Sequence, residues 1–266
     1  MLDDVQLKNA PLGKKTEYAQ NYTPGLLFPI SRQLGRSKLK GEVPFGGVDI
    51  WNGTELSWLN PKGKPEIGLL QICFPTSSSH IVESKSLKLY LNSFSQSKFD
   101  SLQSVEKTMQ RDLSQAVGSA VTVKVQRVVN DLPGESLDVL DVEIDTYHVC
   151  TDFLQAGGAI VKETLNSCLL KSNCLATGQP DWGSILIRYH GPQIHREGLL
   201  KYIISFRNHS GFAEHCAEQI FYDLLERCKM EKLTVSLFYT RRGGLDINPF
   251  RSNFEEFAFC LQDARR

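Results

Sequence analysis

Cys174 and Asp181 stand seven positions apart in the stretch Ser172-Asn173-Cys174-Leu175-Ala176-Thr177-Gly178-Gln179-Pro180-Asp181-Trp182-Gly183, and together they have the chemistry for addition to an electrophile. Cysteine is the best side-chain nucleophile near neutral pH. A covalent thioadduct also needs an acid nearby, to protonate the nitrogen or oxygen that receives the electron pair. Gly178 and Pro180 disfavour a helix, so the spacing predicts a loop that folds back and carries both side chains. A buried structural thiol beside a solvated turn carboxylate is the other reading of the same residues.

A second constellation is Val82-Glu83-Ser84-Lys85-Ser86-Leu87-Lys88-Leu89-Tyr90. It opens a helix, with Ser84 and Ser86 as cap candidates. The free N–H groups of that helix start, with Lys85 and Lys88, would favour a phosphate. The alternative is a capped amphipathic helix whose lysines are simply solvated. Neither GxGxxG nor GxxxxGK[ST] occurs, so a nucleotide would have to bind without a glycine-rich turn, and the glycine pairs at 46–47, 157–158 and 243–244 read as turns.

Composition narrows the function classes. The 30 basic and 30 acidic residues cancel, leaving no net field to draw the chain to nucleic acid or an acidic membrane. No apolar run approaches the roughly 20 residues that span a bilayer, and Met1-Leu2-Asp3-Asp4 lacks signal-peptide character, so the expectation is a cytoplasmic protein. Seven cysteines without a CxxC pair fit reduced thiols. No Cys or His spacing suggests a finger, ribbon or HExxH site, so no metal is expected.

The elements that must position these residues follow from periodicity. In the first half, 67–74 reads as a strand, Leu87, Leu91 and Phe94 mark a helix, Leu102, Val105, Met109 and Leu113 mark a second, and 121–125 alternates as a strand. The later half repeats the order: a strand over 184–189, a helix with Leu199, Tyr202, Ile203 and Phe206, another with Ala217, Ile220, Phe221 and Leu224, and a strand over 233–238. Phe99 and Phe212 are 113 positions apart, Lys88 and Lys201 also 113, and Thr122 and Thr234 112. This argues for a duplicated module of the α+β class with antiparallel sheets. The expected organisation is an extended arm over 1–40, a first module over 41–130, an acidic linker over 131–165 and a second module over 166–266.

The motif Glu83-Ser84-Lys85-Ser86-Leu87-Lys88-Leu89-Tyr90, the Ser172 to Gly183 segment and the tail Tyr239-Thr240-Arg241-Arg242-Gly243-Gly244-Leu245-Asp246-Ile247-Asn248-Pro249 resemble, in order, those of the NADPH-dependent 7-cyano-7-deazaguanine reductases, the nitrile reductases of queuosine biosynthesis in tRNA modification. The resemblance implies the two-module type, with tandem tunnelling-fold units and a homodimer. It gives Cys174 the role of nucleophile and Asp181 that of proton donor. Val82, Glu83, Ser84 and Glu214 would hold the free deazapurine base, and Ser84, Lys85, Arg242 and Gly243 would hold NADPH. A carboxylate suits two adjacent N–H donors on a guanine-like edge, and cations suit a 2′-phosphate. Ala213 stands where the family usually has a histidine, which implies slow turnover, and His215 is too far round a helix to replace it. Cys168 also replaces a usual histidine and is expected in the core, and Ala176 replaces a larger aliphatic residue. Two other functions remain open: a pterin-type cyclohydrolase of the same fold, and a non-catalytic purine-binding module.

Overall fold

The computed structural model describes residues 18–41 and 44–256. The described residues divide into two compact units, one drawn from 18–61 and 66–127, the other from 62–65 and 128–256. Among the described residues no helix is long and apolar enough to cross a membrane.

The first unit contains β1 (Pro29–Ser31), α1 (Gln33–Arg36), β2 (Val48–Leu59), β3 (Pro65–Pro75), β4 (His80–Val82), α2 (Ser84–Ser93), α3 (Leu102–Val117) and β5 (Thr122–Arg127). β2, β3 and β5 form one sheet in that order, and β1 pairs with β4. β5 runs antiparallel to β3, from Gly68 opposite Arg127 to Cys73 opposite Thr122. Alternate residues Leu70, Ile72 and Phe74 of β3 face a core completed by Val105, Met109, Leu113 and Val117 of α3. The two periods, two along the strand and about four along the helix, are what a half-buried strand and an amphipathic helix require. Each such side chain contributes about 1.5–3 kcal/mol by leaving water. α3 is bounded by a capping box, Ser101 with Ser104, and by Gly118 at φ +67°.

Part of the arm expected over 1–40 falls on residues 1–17, outside the described residues. From residue 18 onward the arm is packed: Tyr22, Leu26 and Leu27 lie against the first core, and the Tyr22 hydroxyl donates to Asp112 at 2.6 Å.

The second unit contains β6 (Glu135–Ser136), β7 (Ala156–Asn173), β8 (Pro180–Ile194), α4 (Arg196–Ser205), α5 (Ala213–Cys228), β9 (Lys232–Tyr239) and β10 (Phe250–Ser252). The sheet order is β10-β9-β8-β7-β6. Its pairings are antiparallel, except that β6 runs parallel to β7. The stretch read from composition as a linker, 131–165, instead supplies β6 and the first half of β7. Asp138, one of the acidic residues behind that reading, accepts from the Ser167 hydroxyl at 2.5 Å and the Cys168 N–H at 2.8 Å. Gly157-Gly158 lies not at a domain boundary but at a break in the register between Gly157 and Ile160, with Gly158 at φ +76°. A glycine-containing bulge leaves no apolar alternation to read, which is why periodicity missed this half-strand.

Candidate active site

The β7–β8 hairpin presents the thiol. Its register sets Ser172 opposite Asp181 and Asn173 opposite Pro180, so the turn is confined to 174–179. Cys174 closes it twice: its N–H donates to the Gln179 carbonyl at 2.8 Å, and its carbonyl accepts from Gly178 N–H at 2.9 Å. Gly178 takes φ +67°, a left-handed conformation that favours glycine. Asp181 is therefore not on the loop, as Pro180 led the sequence reading to place it; it is the second residue of β8. A proline at a strand's first position costs no ladder bond.

The thiol of Cys174 is half-buried and its pKa is lowered. The Thr177 hydroxyl is the largest cause, followed by the Thr177 N–H; burial opposes them, and the Ala176 N–H and the Arg242 side chain add to the lowering. Donors converging on sulfur favour the thiolate, which is the nucleophilic form. Asp181 Oδ1 lies 2.5 Å from Arg242 Nη2. Arg242 arrives from the segment after β9. There Thr240 N–H donates to the Trp182 carbonyl at 2.8 Å, and Arg242 and Leu245 exchange backbone hydrogen bonds at 2.8 and 3.0 Å. Gly243 at φ +56° and Gly244 at φ +86° form the tip of that turn, whose two positive φ angles glycine supplies without strain.

Val82, Glu83, Ser84 and Lys85 belong to the first unit. Val82 ends β4 and is buried, and Glu83 caps α2. One Glu83 oxygen accepts from Lys85 N–H and the other from Ser86 N–H, both at 2.8 Å. The cap is thus Glu83, not Ser84 or Ser86. Ser86 instead donates its hydroxyl to the Glu83 carbonyl and accepts from Phe28 N–H. Glu83 is only 5% exposed, and a carboxylate has lone pairs beyond the two used by the helix.

Two family descriptions match the chain: "Nitrile reductase, 7-cyano-7-deazaguanine-reductase N-term" over residues 18–125 and "QueF-like protein" over residues 180–257. A relative from Chromobacterium violaceum is 51% identical over 258 residues, 92% of each chain. One from Burkholderia multivorans is 52% identical over 260 residues, 94% of this chain and 95% of its own. Another, from Hydrogenovibrio crunogenus, is 51% identical over 255 residues, 92% of each. All three are named NADPH-dependent 7-cyano-7-deazaguanine reductase. The chain belongs to the 7-cyano-7-deazaguanine reductase family. A solved structure titled as the archaeosine synthase QueF-Like in the apo form is 13% identical with a TM-score of 0.32 over 36% of this chain, too partial a likeness to define the fold.

In this member of the reductase family, several residues at the hairpin carry no motif that the sequence makes legible. Lys171, 3% exposed, donates from Nζ to Asn173 Oδ1 at 2.7 Å and to the Arg207 carbonyl at 2.8 Å. Its ammonium and the Arg207 guanidinium lie 5.5 and 5.4 Å from the centroid of the Trp182 ring. Burial pushes the Lys171 pKa well down, the Arg207 charge adds to this, and Asp181 opposes it. Asn173 in turn joins the hairpin to the start of α5: its N–H donates to the His209 carbonyl at 2.8 Å and its carbonyl accepts from Gly211 N–H at 3.1 Å. Phe212, Glu214 and His215 are exposed there, and the Phe212 cap position makes no side-chain hydrogen bond. Cys168 is buried. Among the described residues no group of three or more His, Cys, Asp or Glu is placed to hold a metal.

Proposed function

We propose that this chain reduces the nitrile of 7-cyano-7-deazaguanine to the aminomethyl group of 7-aminomethyl-7-deazaguanine, through a covalent thioimide on Cys174, in the tRNA queuosine pathway. The observation that carries the reading is the Cys174 thiol, its pKa lowered by Thr177 at the tip of a hairpin whose next strand holds Asp181. The Cys174 sulfur adds to the nitrile carbon as a thiolate, one C–N π bond breaks, and the nitrogen takes, through the Asp181 carboxylate, the proton that the thiol gave up. NADPH supplies two hydrides in turn; the first accompanies cleavage of the C–S bond and leaves an imine, and the second, with a proton, gives the amine. The thiolate is released unchanged with the first hydride, and the second reduces an imine no longer bound to sulfur.

Glu83, flanked by Val82 and Ser84, accepts the N–H donors of the base, and Glu214 is the second substrate carboxylate. Ser84, Lys85, Arg242 and Gly243 receive NADPH. A Cβ built on Gly243 meets nothing within 4 Å, so its backbone is open to close approach, and the Lys85 and Arg242 charges suit a phosphate. The chain is read as two tunnelling-fold modules, 41–130 and 166–266, acting as a homodimer on a free base, without nucleic acid or membrane, in the cytoplasm. What supports the two modules is the like joint of the two helix pairs, Tyr90 to Asp112 in one and Tyr202 to Asp223 in the other. The test is the intact mass of the protein after mixing with 7-cyano-7-deazaguanine, followed by NADPH absorbance on the same sample. The reading expects a mass increase of one substrate at Cys174 and then NADPH consumption; no adduct and no oxidation would overturn it.

A further inference from the structure

One guanidinium gathers the polar groups of the reactive turn. Arg242 Nη2 lies 2.5 Å from Asp181 Oδ1 and donates to the carbonyls of Gln179 at 2.8 Å and Pro180 at 2.9 Å. The same side chain adds to the lowering of the Cys174 thiol pKa. Its backbone is held by the 242–245 turn, so the side chain reaches the hairpin from an independent anchor. All three bonds to oxygen leave from Nη2, while Nε and Nη1 are further donors of the same plane.

A thiolate on the turn and the carboxylate at the start of β8 each disfavour the other's charge, and a cation bound to the carboxylate eases that conflict. Thr177 contributes more to the thiol than Arg242 does, yet Thr177 leaves the Asp181 charge in place. Loss of Arg242 would remove a donor from sulfur and unmask Asp181 at once. The other titratable groups around the turn are the buried Lys171 of β7, the buried Tyr239 of β9, Arg207 and His209 of the segment before α5, Cys216 of α5, and Arg241 beside Arg242. Of these, Cys216 has its thiol pushed up by burial and His209 its imidazole pushed down by burial.

We propose that Arg242 is a catalytic residue that prepares Cys174 for attack, by holding the thiol and Asp181 on a single guanidinium before base or NADPH arrives. This role is separate from any contact Arg242 makes with a cofactor phosphate, and the two have different readouts. The experiment is the rate of Cys174 alkylation by iodoacetamide against pH, on the full chain without substrate or NADPH, with the modified peptide identified by mass. The unsubstituted chain should show a midpoint below the ordinary thiol value of about 8.5. Arg242→Met should move the midpoint up by about one pH unit and slow alkylation about tenfold at pH 7, because a thiolate fraction well below the midpoint falls tenfold per unit. Arg242→Lys, which keeps a charge without the planar fork, should fall between the two. If Arg242→Met does not fold, Arg242→Gln keeps a donor for the Gln179 and Pro180 carbonyls and should show the same rise. An unchanged midpoint in the folded variants, with only the KM for NADPH raised, would overturn the proposal and leave the cofactor contact standing; a raised midpoint with an unchanged KM for NADPH would do the reverse.

Discussion

Tyr90 of α2 donates to Asp112 of α3 at 2.7 Å, and Tyr202 of α4 donates to Asp223 of α5 at 2.6 Å. Ser93 and Ser205 each donate to the carbonyl of the preceding tyrosine at 2.6 Å. Phe94 meets Tyr90 edge-on at 5.1 Å, as Phe206 meets Tyr202 at 5.3 Å. The two helix pairs thus repeat their joints at an offset of 112 for the first helix and 111 for the second, one or two fewer than the 113 suggested by Lys88 with Lys201 and Phe99 with Phe212. The buried tyrosine–aspartate joint is the true point of correspondence, because it is fixed by packing and the lysines are not.

The units differ where the chain enters its helices and turns between strands. The cap of α2 is Glu83, whereas α4 has His195, whose Nδ1 accepts from Gly198 N–H at 3.2 Å. α3 begins with the Ser101 capping box, whereas α5 begins at Phe212 without a side-chain cap. The β7–β8 turn carries Cys174, whereas the β2–β3 connection over 60–64 has no thiol. The two helix pairs share their interior joints and differ at their edges, since a buried hydrogen-bonded pair is costly to break singly while an exposed turn accepts varied side chains.

The largest effect expected from breaking this division is at Cys174. Cys174→Ala should abolish the covalent adduct and lower NADPH oxidation at least about 10³-fold while base binding stays measurable; an adduct of unchanged yield would remove the thiol from the mechanism. Next come the two caps. Glu83→Gln should lower kcat/KM for the nitrile by about 10²-fold, as the loss of charge-assisted hydrogen bonds predicts. His195→Ala should cost about 1 kcal/mol of stability and leave kcat/KM within about twofold; equal kinetic losses at both caps would erase the proposed difference between the units.

A gain of like size sharpens the comparison at the α5 entrance. Ala213→His should raise kcat about 10²-fold if an imidazole there donates a proton to the bound intermediate, the low end of the usual range for general acid catalysis; stopped-flow NADPH absorbance would measure it, and no gain would leave slow turnover unconnected to this position. The smallest difference is expected inside the helices. Tyr90→Phe and Tyr202→Phe should each cost about 1–3 kcal/mol in chemical denaturation and differ by less than about 1 kcal/mol, with Tyr90→Phe the milder because Asp112 keeps Tyr22 and Arg111 as partners.

What the residues determined unaided is local. Leu102, Val105, Met109 and Leu113 mark a helix face by their spacing. Gly178 and Pro180 mark a turn, and Cys174 with Asp181 near that turn marks a chemistry. Each of these readings needs only neighbours within a few positions, where backbone sterics and side-chain periodicity act. The N-terminal half of β7 and the edge strand β6 escaped because their exposed or bulged stretches carry no alternation, and the acidic residues among them form hydrogen bonds that composition does not reveal.

Only the tertiary structure decided what reaches the reactive turn from elsewhere in the chain. Arg242 meets Asp181 from 61 positions away, Lys171 reaches the Arg207 carbonyl across 36, and Asn173 fastens the hairpin to the strand of chain before α5. Such contacts arise from sheet register and helix docking, which place distant residues within hydrogen-bond reach. Charges brought together in a water-poor setting then shift one another's ionisation, an effect that no single residue's type contains.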